Sequence, residues 1–402
     1  MNTAIIGGGA AGFFLAINLK ELMPQMEVTI FERSQHVLAK VAVSGGGRCN
    51  CTNTFRQVSD LAQVYPRGHR LLKRLFNVFD HRAAYAWFER HGVPLVTQPD
   101  ECVFPAAQDS QAVIDCFLRL ARQHHIRIRL GCRIQSLADV SGFDFVAVTT
   151  GGSPRAEGLQ WLADAGHQLQ PPVPSLFTLT IPDTRLRAMM GIVSEASVLL
   201  AGTKFRAEGP LLITHWGVSG PAVLKLSSYA ARYLAEHDYR ATLSINWLRQ
   251  TEALALAALQ RVAAGSDTRI SPSRQLHTAN PFGLTQRLWA SLVERSLADR
   301  ATIRWGELNR KDLNRLANQL TNDQYPVAGR AAFKDEFVTC GGIALTSVNP
   351  STLESRHVPR LYFAGEVLDI DGITGGFNFQ AAWTTAYVVS RSIQASSLAN
   401  GS

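Results

Sequence analysis

Long apolar segments are absent from this sequence. No run of eighteen residues is free of charged or polar interruptions, whereas a helix that spans a bilayer needs about 20 predominantly apolar residues. The N-terminus passes directly from Met1 into the apolar segment 3–6, without the basic region and cleavage site of a secretory signal. These absences predict a cytoplasmic protein that does not cross a membrane.

Cysteines are few and scattered along the chain. The six cysteines are Cys49, Cys51, Cys102, Cys116, Cys132 and Cys340. No C-x-x-C pair and no pair of histidines at zinc-finger spacing accompanies them, so we expect no structural metal. The C-x-C segment 49–51 leaves a metal or redox role open, although six reduced thiols in a reducing compartment are the simpler interpretation.

Acidic residues are outnumbered by basic residues, 32 to 40, which gives a net charge of +8 and an isoelectric point of about 9.4. Such a charge attracts phosphates, whether of a dinucleotide or of a nucleic acid. The densest basic runs are residues 67–74 and 119–129. Solvated helix faces explain both runs most simply, and an RNA-contacting surface is the alternative.

The first thirty-two residues predict half of a mononucleotide-binding unit. Residues 3–6 read as a strand, residues 13–22 carry apolar side chains at helical spacing, and residues 28–31 read as a buried strand that ends at Glu32. A glycine-rich turn, residues 7–12, joins the first strand to the helix. This order of strand, glycine turn, helix and strand is typical of a Rossmann-type domain.

Each residue of the Gly7-x-Gly9-x-x-Gly12 pattern has a physical role in holding a dinucleotide. Gly7 permits the tight turn, Gly9 lets a pyrophosphate approach the backbone, and Gly12 lets the helix pack on the sheet. The helix N-terminus offers unpaired N–H groups to the phosphates. Glu32, twenty residues after Gly12, can accept hydrogen bonds from the ribose hydroxyls.

FAD and NAD share this fingerprint, and the C-terminal part of the chain favours FAD. Residues 362–366 read as an apolar strand that ends at Gly365 and Glu366, where flavoproteins of this architecture place a carboxylate near the ribityl chain or the pyrophosphate. A helix then begins in the segment 371–380, and its N-terminus is suited to stabilise negative charge on reduced flavin. The residues predicted to form this turn are Gly375, Gly376, Phe377, Asn378 and Phe379.

A second glycine-rich loop, residues 40–54, is also predicted to lie against the cofactor. Its glycines allow close approach of the backbone to a ligand, and Arg48 and Asn50 supply a cation and an amide. Cys49 is a candidate reactive thiol, but without a partner at redox spacing a packing role is preferred. The cofactor residues predicted here are Ser44, Gly46, Gly47, Arg48 and Asn50.

The remainder of the chain predicts an interrupted α/β domain. At 402 residues we expect two or three packed units. Helices are predicted at 71–88 and 113–121, and strands at 127–133 and 143–150; a proline cluster at 171–174 marks a boundary. The predicted parts are the first part of the FAD-binding domain, a β-rich insert, a small helical unit and the second part of the FAD-binding domain, at residues 1–170, 171–250, 251–330 and 331–402.

Four segments together resemble a known family. IIGGGAAG, SGGGRCNCTN, THWGVSGPA and FAGEVLDIDGITGGFNFQAAW are similar to the bacterial FAD-binding family that includes aminoacetone-oxidase-like and bile-acid-reductase-like enzymes, over residues 3–393. The resemblance implies a Rossmann-type FAD domain interrupted by a β-barrel-like unit and a small helical unit. It adds Ala11, Arg33, Lys40 and Arg133 to the expected FAD contacts. Gly152, just after the predicted strand 143–150, is a further expected cofactor residue.

The segment 214–221 superficially resembles the turn of a serine hydrolase. The nucleophile turn of those enzymes requires G-x-S-x-G between a strand and a helix, and here Pro221 occupies the last position. We therefore interpret the segment as a structural turn. His215 remains a candidate group on the substrate side.

Together these features predict an FAD-dependent oxidoreductase in which flavin N5 exchanges hydride with a substrate bound between the FAD domain and the insert. NAD(P)H is the expected transient reductant, although no second G-x-G-x-x-G is present to form a dedicated nicotinamide domain. The resemblance favours reduction of an activated C=C bond in a small molecule. The alternatives are an enzyme that reduces uridine in ribosomal RNA, an amine or aminoketone oxidase, and a non-catalytic flavin-binding protein.

Overall fold

The computed structural model describes residues 1–153, 155–331 and 338–399. The chain divides into two compact units, of which the first contains residues 1–174 and 338–402 and the second contains residues 175–337. Among the described residues, no helix combines the length and apolar character that a membrane crossing requires.

The first stretch of the first unit contains the elements β1 Asn2–Ile6, α1 Ala10–Leu22, β2 Glu27–Phe31, α2 Ala39–Gly47, β3 Thr52–Asn53, α3 His69–Leu75, α4 His81–Arg90, β4 Leu95–Thr97, β5 Cys102–Pro105, α5 Gln111–Gln123, β6 Arg127–Arg129, β7 Phe145–Val148, α6 Gln160–Asp164 and β8 Leu169–Ser175. The second unit contains β9 Leu179–Thr180, α7 Thr184–Ala188, β10 Val193–Leu200, β11 Arg206–Ile213, β12 Gly217–Ser219, α8 Pro221–Tyr229, α9 Ala231–Glu236, β13 Ala241–Asn246, α10 Glu252–Ala263, α11 Gln286–Leu297, α12 Arg310–Thr321, β14 Asp323–Val327 and β15 Gly329–Arg330. The chain returns to the first unit with β16 Val338–Ile343, β17 Leu361–Phe363 and α13 Phe377–Ala399.

A parallel sheet forms the centre of the first unit, with the strand order β17-β7-β1-β2-β6. All neighbours in this sheet are parallel, and Ile5 of β1 lies opposite Ile30 of β2 and Ala147 of β7. Helix α1 packs against α5 and α13 as well as the sheet, which explains why its sequence is apolar on nearly every side. The predicted α/β fold with a Rossmann-type domain is confirmed.

Aromatic side chains fill the space between α1, α4 and α13. The centre of the Phe14 ring lies 4.6 Å from the ring centre of Trp87 and 5.1 Å from that of Trp383. All three side chains are almost completely buried. This packing fixes the orientation of α13 relative to α1, and therefore the place at which α13 begins.

An antiparallel sheet dominates the second unit, with the order β14-β13-β10-β11-β12-β9-β15. Its end strands β14 and β15 are consecutive in the sequence, and Ala328 between them donates its N–H to Thr180 O of β9. The two ends of the sheet therefore approach each other, as in a barrel. Helices α10, α11 and α12 contribute to the same hydrophobic core as these strands.

Two segments differ from the sequence-based expectation, and a third, predicted as a boundary, also forms a strand. Residues 40–54, predicted as a loop, begin in α2, because Val41 is fully buried and holds that helical turn against the unit. The helix predicted over residues 71–88 is divided into α3 and α4, because the Asp80 carboxylate accepts from Ala83 N at 2.9 Å and starts a new helix. The prolines at 171–174 lie inside β8, whose described partner is β16 alone, and proline is tolerated in such an edge strand.

Candidate functional site

Four strands of the parallel sheet end at the same edge. The residues that follow β1, β2, β7 and β17 are Gly7, Glu32, Thr149 and Ala364. Because the strands are parallel, their carboxyl ends bring the glycine turn, Glu32, residues 149–152 and residues 364–366 together. Ligands of open α/β sheets bind at this edge.

The glycine turn has both the packing and the open space that a pyrophosphate needs. A Cβ on Gly7 (φ 116°) would overlap the carbonyl of Thr149, and a Cβ on Gly12 would overlap the carbonyl of Gly7. By contrast, no atom lies within 4 Å of a Cβ built on Gly9. Two of the glycines are thus required by packing, and the middle one borders open space.

The N-terminus of α1 faces this open space without a side-chain cap. Gly9 is the N-cap residue, and no side chain accepts a hydrogen bond there. A helix start of this kind offers N–H groups and a partial positive charge to an anion. Ala11 lies in the first turn, and a Cβ on Gly365 would come 2.9 Å from the Ala11 Cβ, so the end of β17 approaches α1 closely. These residues fit the diphosphate of FAD.

Glu32 is held at the end of β2 by two backbone amides. Its Oε2 accepts from Gly8 N and its Oε1 accepts from Ser34 N, both at 2.8 Å. Each carboxylate oxygen retains a lone pair that can accept a ribose hydroxyl. Arg33 and Arg133 are both exposed. Cys132 N donates to the Glu32 backbone carbonyl at 2.8 Å, which brings the backbone that precedes Arg133 close to that of Glu32.

Glu366 joins three segments at the sheet edge. Its Oε2 lies 2.8 Å from Lys40 Nζ in α2, and its Oε1 accepts from Thr339 N at 2.8 Å. A Cβ on Gly152 would lie 2.6 Å from Glu366 Oε1. The structure therefore brings together the predicted residues Lys40, Gly152, Gly365 and Glu366. Thr339 was missed, because its contribution is a backbone N–H that no motif records.

The SGGGR loop, residues 44–48, begins where α2 loses its helical geometry at Ser44, Gly45 and Gly46, and it makes a turn that only glycine adopts easily. Gly45, Gly46 and Gly47 all have positive φ angles, and no atom lies within 4 Å of a Cβ built on Gly46 or Gly47. Ser44 donates its hydroxyl to Val41 O at 2.8 Å and closes the turn. Gly46 and Gly47 thus present bare backbone to open space, which agrees with close approach of a ligand.

Arg48 is engaged by the protein itself. Its guanidinium lies 4.3 Å from the centre of the Phe104 ring, and it donates to Gly45 O at 3.1 Å and to Gln108 Oε1 at 3.3 Å. The predicted role of Arg48 as a cofactor cation remains a prediction. The contacts show that Arg48 also holds the glycine turn in place.

Asn50 connects the SGGGR loop to the start of α13. The Asn50 side-chain amide is oriented so that both its oxygen and its nitrogen have hydrogen-bond partners. The amide oxygen accepts from Gly376 N at 3.1 Å, and the amide nitrogen donates to Thr52 O at 2.9 Å and to Val103 O at 3.2 Å. Gly376 has a φ of 87°, and a Cβ there would overlap the Thr52 carbonyl. Asn53 also donates to Gly375 O, at 3.1 Å. The N-terminus of α13 is therefore held against β3.

The remaining residues of this turn are fixed by their own side chains or by a buried tyrosine. Asn378 accepts from Gly372 N at 2.8 Å and donates to Gly372 O at 2.9 Å. The Tyr65 hydroxyl donates to Phe377 O at 2.8 Å. Phe379 stacks on Trp383 at 5.4 Å. Tyr65 was missed by sequence reasoning, because it lies far from every glycine motif.

A buried ion pair anchors the loop that precedes α13. The Asp371 carboxylate is fully buried and pairs with the Arg67 guanidinium, of which only 12% of the side chain is exposed. The basic run 67–74 therefore begins with a structural arginine rather than with a solvated one. No local pattern predicts this pairing, since the two residues are separated by 304 positions.

Cys49 and Cys51 lie next to the SGGGR loop but inside the protein. Both side chains are fully buried, and their Sγ atoms are 3.8 Å apart. Burial raises the pKa of the Cys51 thiol well above its usual range. A protonated, solvent-inaccessible thiol is a poor nucleophile, so these contacts favour the packing role. Among the described residues, no group of three or more His, Cys, Asp or Glu side chains is placed to hold a metal ion.

His215, the other candidate catalytic residue, belongs to the second unit. It is exposed in the turn between β11 and β12, and its ring lies 4.7 Å from the ring of Trp216. Its carbonyl accepts from Arg187 Nε at 2.7 Å. The contacts described for His215 are thus with residues of its own unit, and its catalytic role remains a prediction.

Comparison with known proteins shows similarity along nearly the whole chain. The model of the HI0933-like protein Rossmann domain matches residues 1–392. The chain is 26% identical to the 3-dehydro-bile acid delta(4,6)-reductase of Clostridium scindens, over 96% of this chain and 97% of that protein. It is 27% identical to the ribosomal RNA dihydrouridine synthase of Escherichia coli, over 97% of each. Among solved structures, the 3-ketosteroid delta1-dehydrogenase from Sterolibacterium denitrificans aligns with a TM-score of 0.49 and 11% identity, covering 98% of this chain and 99% of that one.

Proposed function

This chain belongs to the HI0933-like family of Rossmann-domain, FAD-dependent oxidoreductases, and we propose that it reduces an activated carbon–carbon double bond with electrons from NAD(P)H. When bound, FAD would supply the hydride carrier at its N5 atom. The names of the two relatives described above refer to saturation of a carbon–carbon double bond. A conjugated carbonyl activates such a bond toward hydride, which is the chemistry we assign to the substrate.

The main support for the proposal is that the groups suited to the parts of FAD lie at one edge of the parallel sheet. The uncapped N-terminus of α1 and the open space at Gly9 suit the diphosphate, and Glu32 suits the adenosine ribose. At the other end, the N-terminus of α13 is held rigidly by Asn50 and Tyr65. A fixed helix start of this kind stabilises negative charge that develops beside it without reorganising.

In this arrangement the chain's residues bind and orient rather than react. Lys40 places a cation beside the Glu366 carboxylate. The ammonium group of Lys40 is suited to bind a phosphate, and the carboxylate of Glu366 is suited to accept a hydrogen bond from a ribityl hydroxyl. The buried pair of Arg67 and Asp371 keeps the α13 turn in place. His215 is the proposed group on the substrate side.

A second candidate is reduction of uridine in ribosomal RNA. It is favoured by the name of the Escherichia coli relative and by the net charge of +8. A cationic protein is attracted to a polyanion, and such attraction weakens with salt. In this reading the same flavin chemistry acts on an RNA base instead of on a free small molecule.

Anaerobic titration tests the proposal directly. The purified chain should be yellow, and NADH or NADPH should bleach the visible flavin band in the absence of oxygen. Addition of a conjugated enone should then restore the band, whereas the saturated ketone of the same skeleton should not. Reduction by neither nucleotide would contradict the proposed reductant, and failure of every enone would contradict the proposed acceptor class. For the second candidate, a deletion strain should lack dihydrouridine in its ribosomal RNA.

A further inference from the structure

Trp216 stands out among the tryptophans of this chain. All seven lie in the described ranges, and Trp216 is the one that is exposed, with 45% of its surface accessible. A large aromatic side chain normally buries most of its area, since burial stabilises the fold. Its exposure therefore calls for an explanation other than packing within the unit.

The exposed ring sits on a rigid turn. Residues 214–216 join β11 to β12, and Thr214 N donates to Gly217 O at 2.8 Å. The Thr214 hydroxyl accepts from Trp216 N at 3.2 Å, and Trp216 O accepts from Ile181 N at 2.9 Å. The backbone on both sides of the indole is thus fixed, so that the ring is presented to solvent by a preorganised support.

Arg187 contacts this turn, and Arg287 contacts Ala188, the residue that follows Arg187. Arg187 Nε donates to His215 O at 2.7 Å, and Arg287 Nη2 donates to Ala188 O at 2.6 Å. Both side chains are exposed, and in the described part of the chain neither forms an ion pair with a carboxylate. Each guanidinium is oriented by a backbone carbonyl, which leaves its positive charge uncompensated.

An exposed methionine extends the apolar part of the same area. Met190 is 55% exposed, and the next residue, Gly191, donates its N–H to Ile213 O at 2.9 Å beside the turn. We call the set Arg187, Met190, His215, Trp216 and Arg287 the Trp216 surface. It combines the exposed indole ring of Trp216, the apolar side chain of Met190 and the two guanidinium groups of Arg187 and Arg287.

We propose that the Trp216 surface binds a single strand of nucleic acid, with a base stacked on the indole and phosphates on the two guanidiniums. Each base has a π face, so stacking on an aromatic side chain tolerates any sequence. Arginine binds phosphate through its planar fork of N–H groups. A free inorganic anion would use the arginines but leave the indole exposed, and an acidic peptide would lack the stacking partner. The net charge of +8 supplies the long-range attraction to a polyanion.

The test is fluorescence anisotropy with the full-length, FAD-loaded chain and labelled oligonucleotides of about 12 nucleotides, a length within the range that single-strand sites occupy. Ribose and deoxyribose versions of one unstructured sequence are compared. Trp216→Ala should weaken binding about tenfold, and Trp216→Phe should retain most of the affinity because it keeps a π face. Arg187→Gln and Arg287→Gln should each lower the slope of log affinity against log salt by about 0.7. The measurement needs no reductant, so its outcome is independent of the proposed reduction.

Leu254→Ala is the matched control, because Leu254 is 60% exposed on α10 and lies outside the Trp216 surface. It should bind like the native chain. Equal binding of both oligonucleotides supports a stacking platform that ignores the sugar, and stronger binding of the ribose version supports an RNA ligand. Absence of binding at low salt, or native affinity in Trp216→Ala, would overturn the proposal. Unchanged thermal unfolding of each variant ensures that a loss of affinity reports the surface rather than the fold.

Discussion

Lys40 Nζ lies 2.8 Å from Glu366 Oε2, although the two residues are 326 positions apart in the sequence. Lys40 belongs to α2 after the second strand, and Glu366 follows the last strand of the parallel sheet. The Lys40 side chain is 54% exposed, whereas that of Glu366 is 20% exposed. A pair this open to solvent contributes little to folding stability, and it lies at the sheet edge to which we assign the cofactor.

Lys40 is predicted to contribute to the affinity for FAD. Lys40→Met should lower FAD affinity about tenfold, equivalent to about 1.4 kcal/mol, because it removes a cation from the proposed phosphate site. The melting temperature of the FAD-free protein should barely change, since exposed ion pairs are worth about 0–1 kcal/mol. FAD titration monitored by flavin fluorescence measures the first effect, and thermal unfolding measures the second.

Lys311→Met serves as the control, because Lys311 is exposed on the second unit. It removes the same charge from α12, a helix that supplies none of the residues assigned to the cofactor. Equal FAD affinity in Lys40→Met and Lys311→Met would show that Lys40 does not contact the cofactor.

Gly9 and Gly12 are predicted to respond differently to the same added methyl group. Gly12→Ala should destabilise the protein, because its Cβ would overlap the Gly7 carbonyl in the middle of the turn. Gly9→Ala should fold normally, since its φ of −92° and ψ of −168° suit any residue and no atom lies nearby. It should nevertheless weaken FAD binding, because the methyl group enters the space assigned to the diphosphate. Thermal unfolding and FAD titration separate the two effects, and tight FAD binding by Gly9→Ala would contradict the assignment.

Asn50 is predicted to influence the redox potential of the flavin. Asn50→Asp replaces the amide nitrogen, which donates to Thr52 O and Val103 O, with a carboxylate oxygen that can only accept. It also adds a negative charge beside Gly376 N. Negative charge near the α13 N-terminus disfavours the reduced flavin anion, so the midpoint potential should fall by about 30 mV, equivalent to about 1.4 kcal/mol for a two-electron couple. Anaerobic dye-equilibration titration measures this shift. Asn77→Asp, at an exposed site, should leave the potential unchanged; an equal shift in both variants would remove Asn50 from the flavin environment.

His167 is predicted to make stability depend on pH. Burial lowers the pKa of His167 below its usual range. Its Nδ1 lies 2.8 Å from Leu162 O and its Nε2 lies 2.8 Å from the Ser355 hydroxyl, an arrangement that suits the neutral ring. Because the unfolded chain binds the proton more tightly, this contribution is complete above about pH 6.5 and is lost as the pH falls further.

Denaturant unfolding at pH 7.5 and pH 5.5 measures this effect. The native chain should lose free energy of unfolding at the lower pH. His167→Asn should lose less between the two values, since it has no titrating ring. An identical pH dependence in the variant would assign the effect to other groups.

The sequence predicted the cofactor end of the site better than it predicted the contacts that support it. The glycine turn and Glu32 are recognisable because a tight turn and a strand end leave a local pattern of residue types. The role of Asn50 in holding Gly376 and the role of Tyr65 in holding Phe377 leave no such pattern, because they depend on segments that meet only after folding. The same reason explains why the pairing of Arg67 with Asp371 was missed.

Apolar periodicity along the chain did not predict where every helix and strand begins and ends. Apolar spacing continued through residues 71–88, but the Asp80 cap starts a new helix within that range. The proline cluster at 171–174 predicted a boundary, and it lies in the edge strand β8 directly before the boundary between the two units. The strand itself was not predicted, because proline does not favour strands.

The sequence by itself determined the Rossmann-type opening, the acid after the second strand and the glycine turn before the last helix, because each is encoded by residues that are neighbours in the chain. Only the tertiary structure decided that Lys40 meets Glu366, that Arg67 is buried against Asp371 and that Trp216 stays on the surface. The physical reason is that charge pairing and burial are set by which segments pack together, and packing joins residues that are hundreds of positions apart.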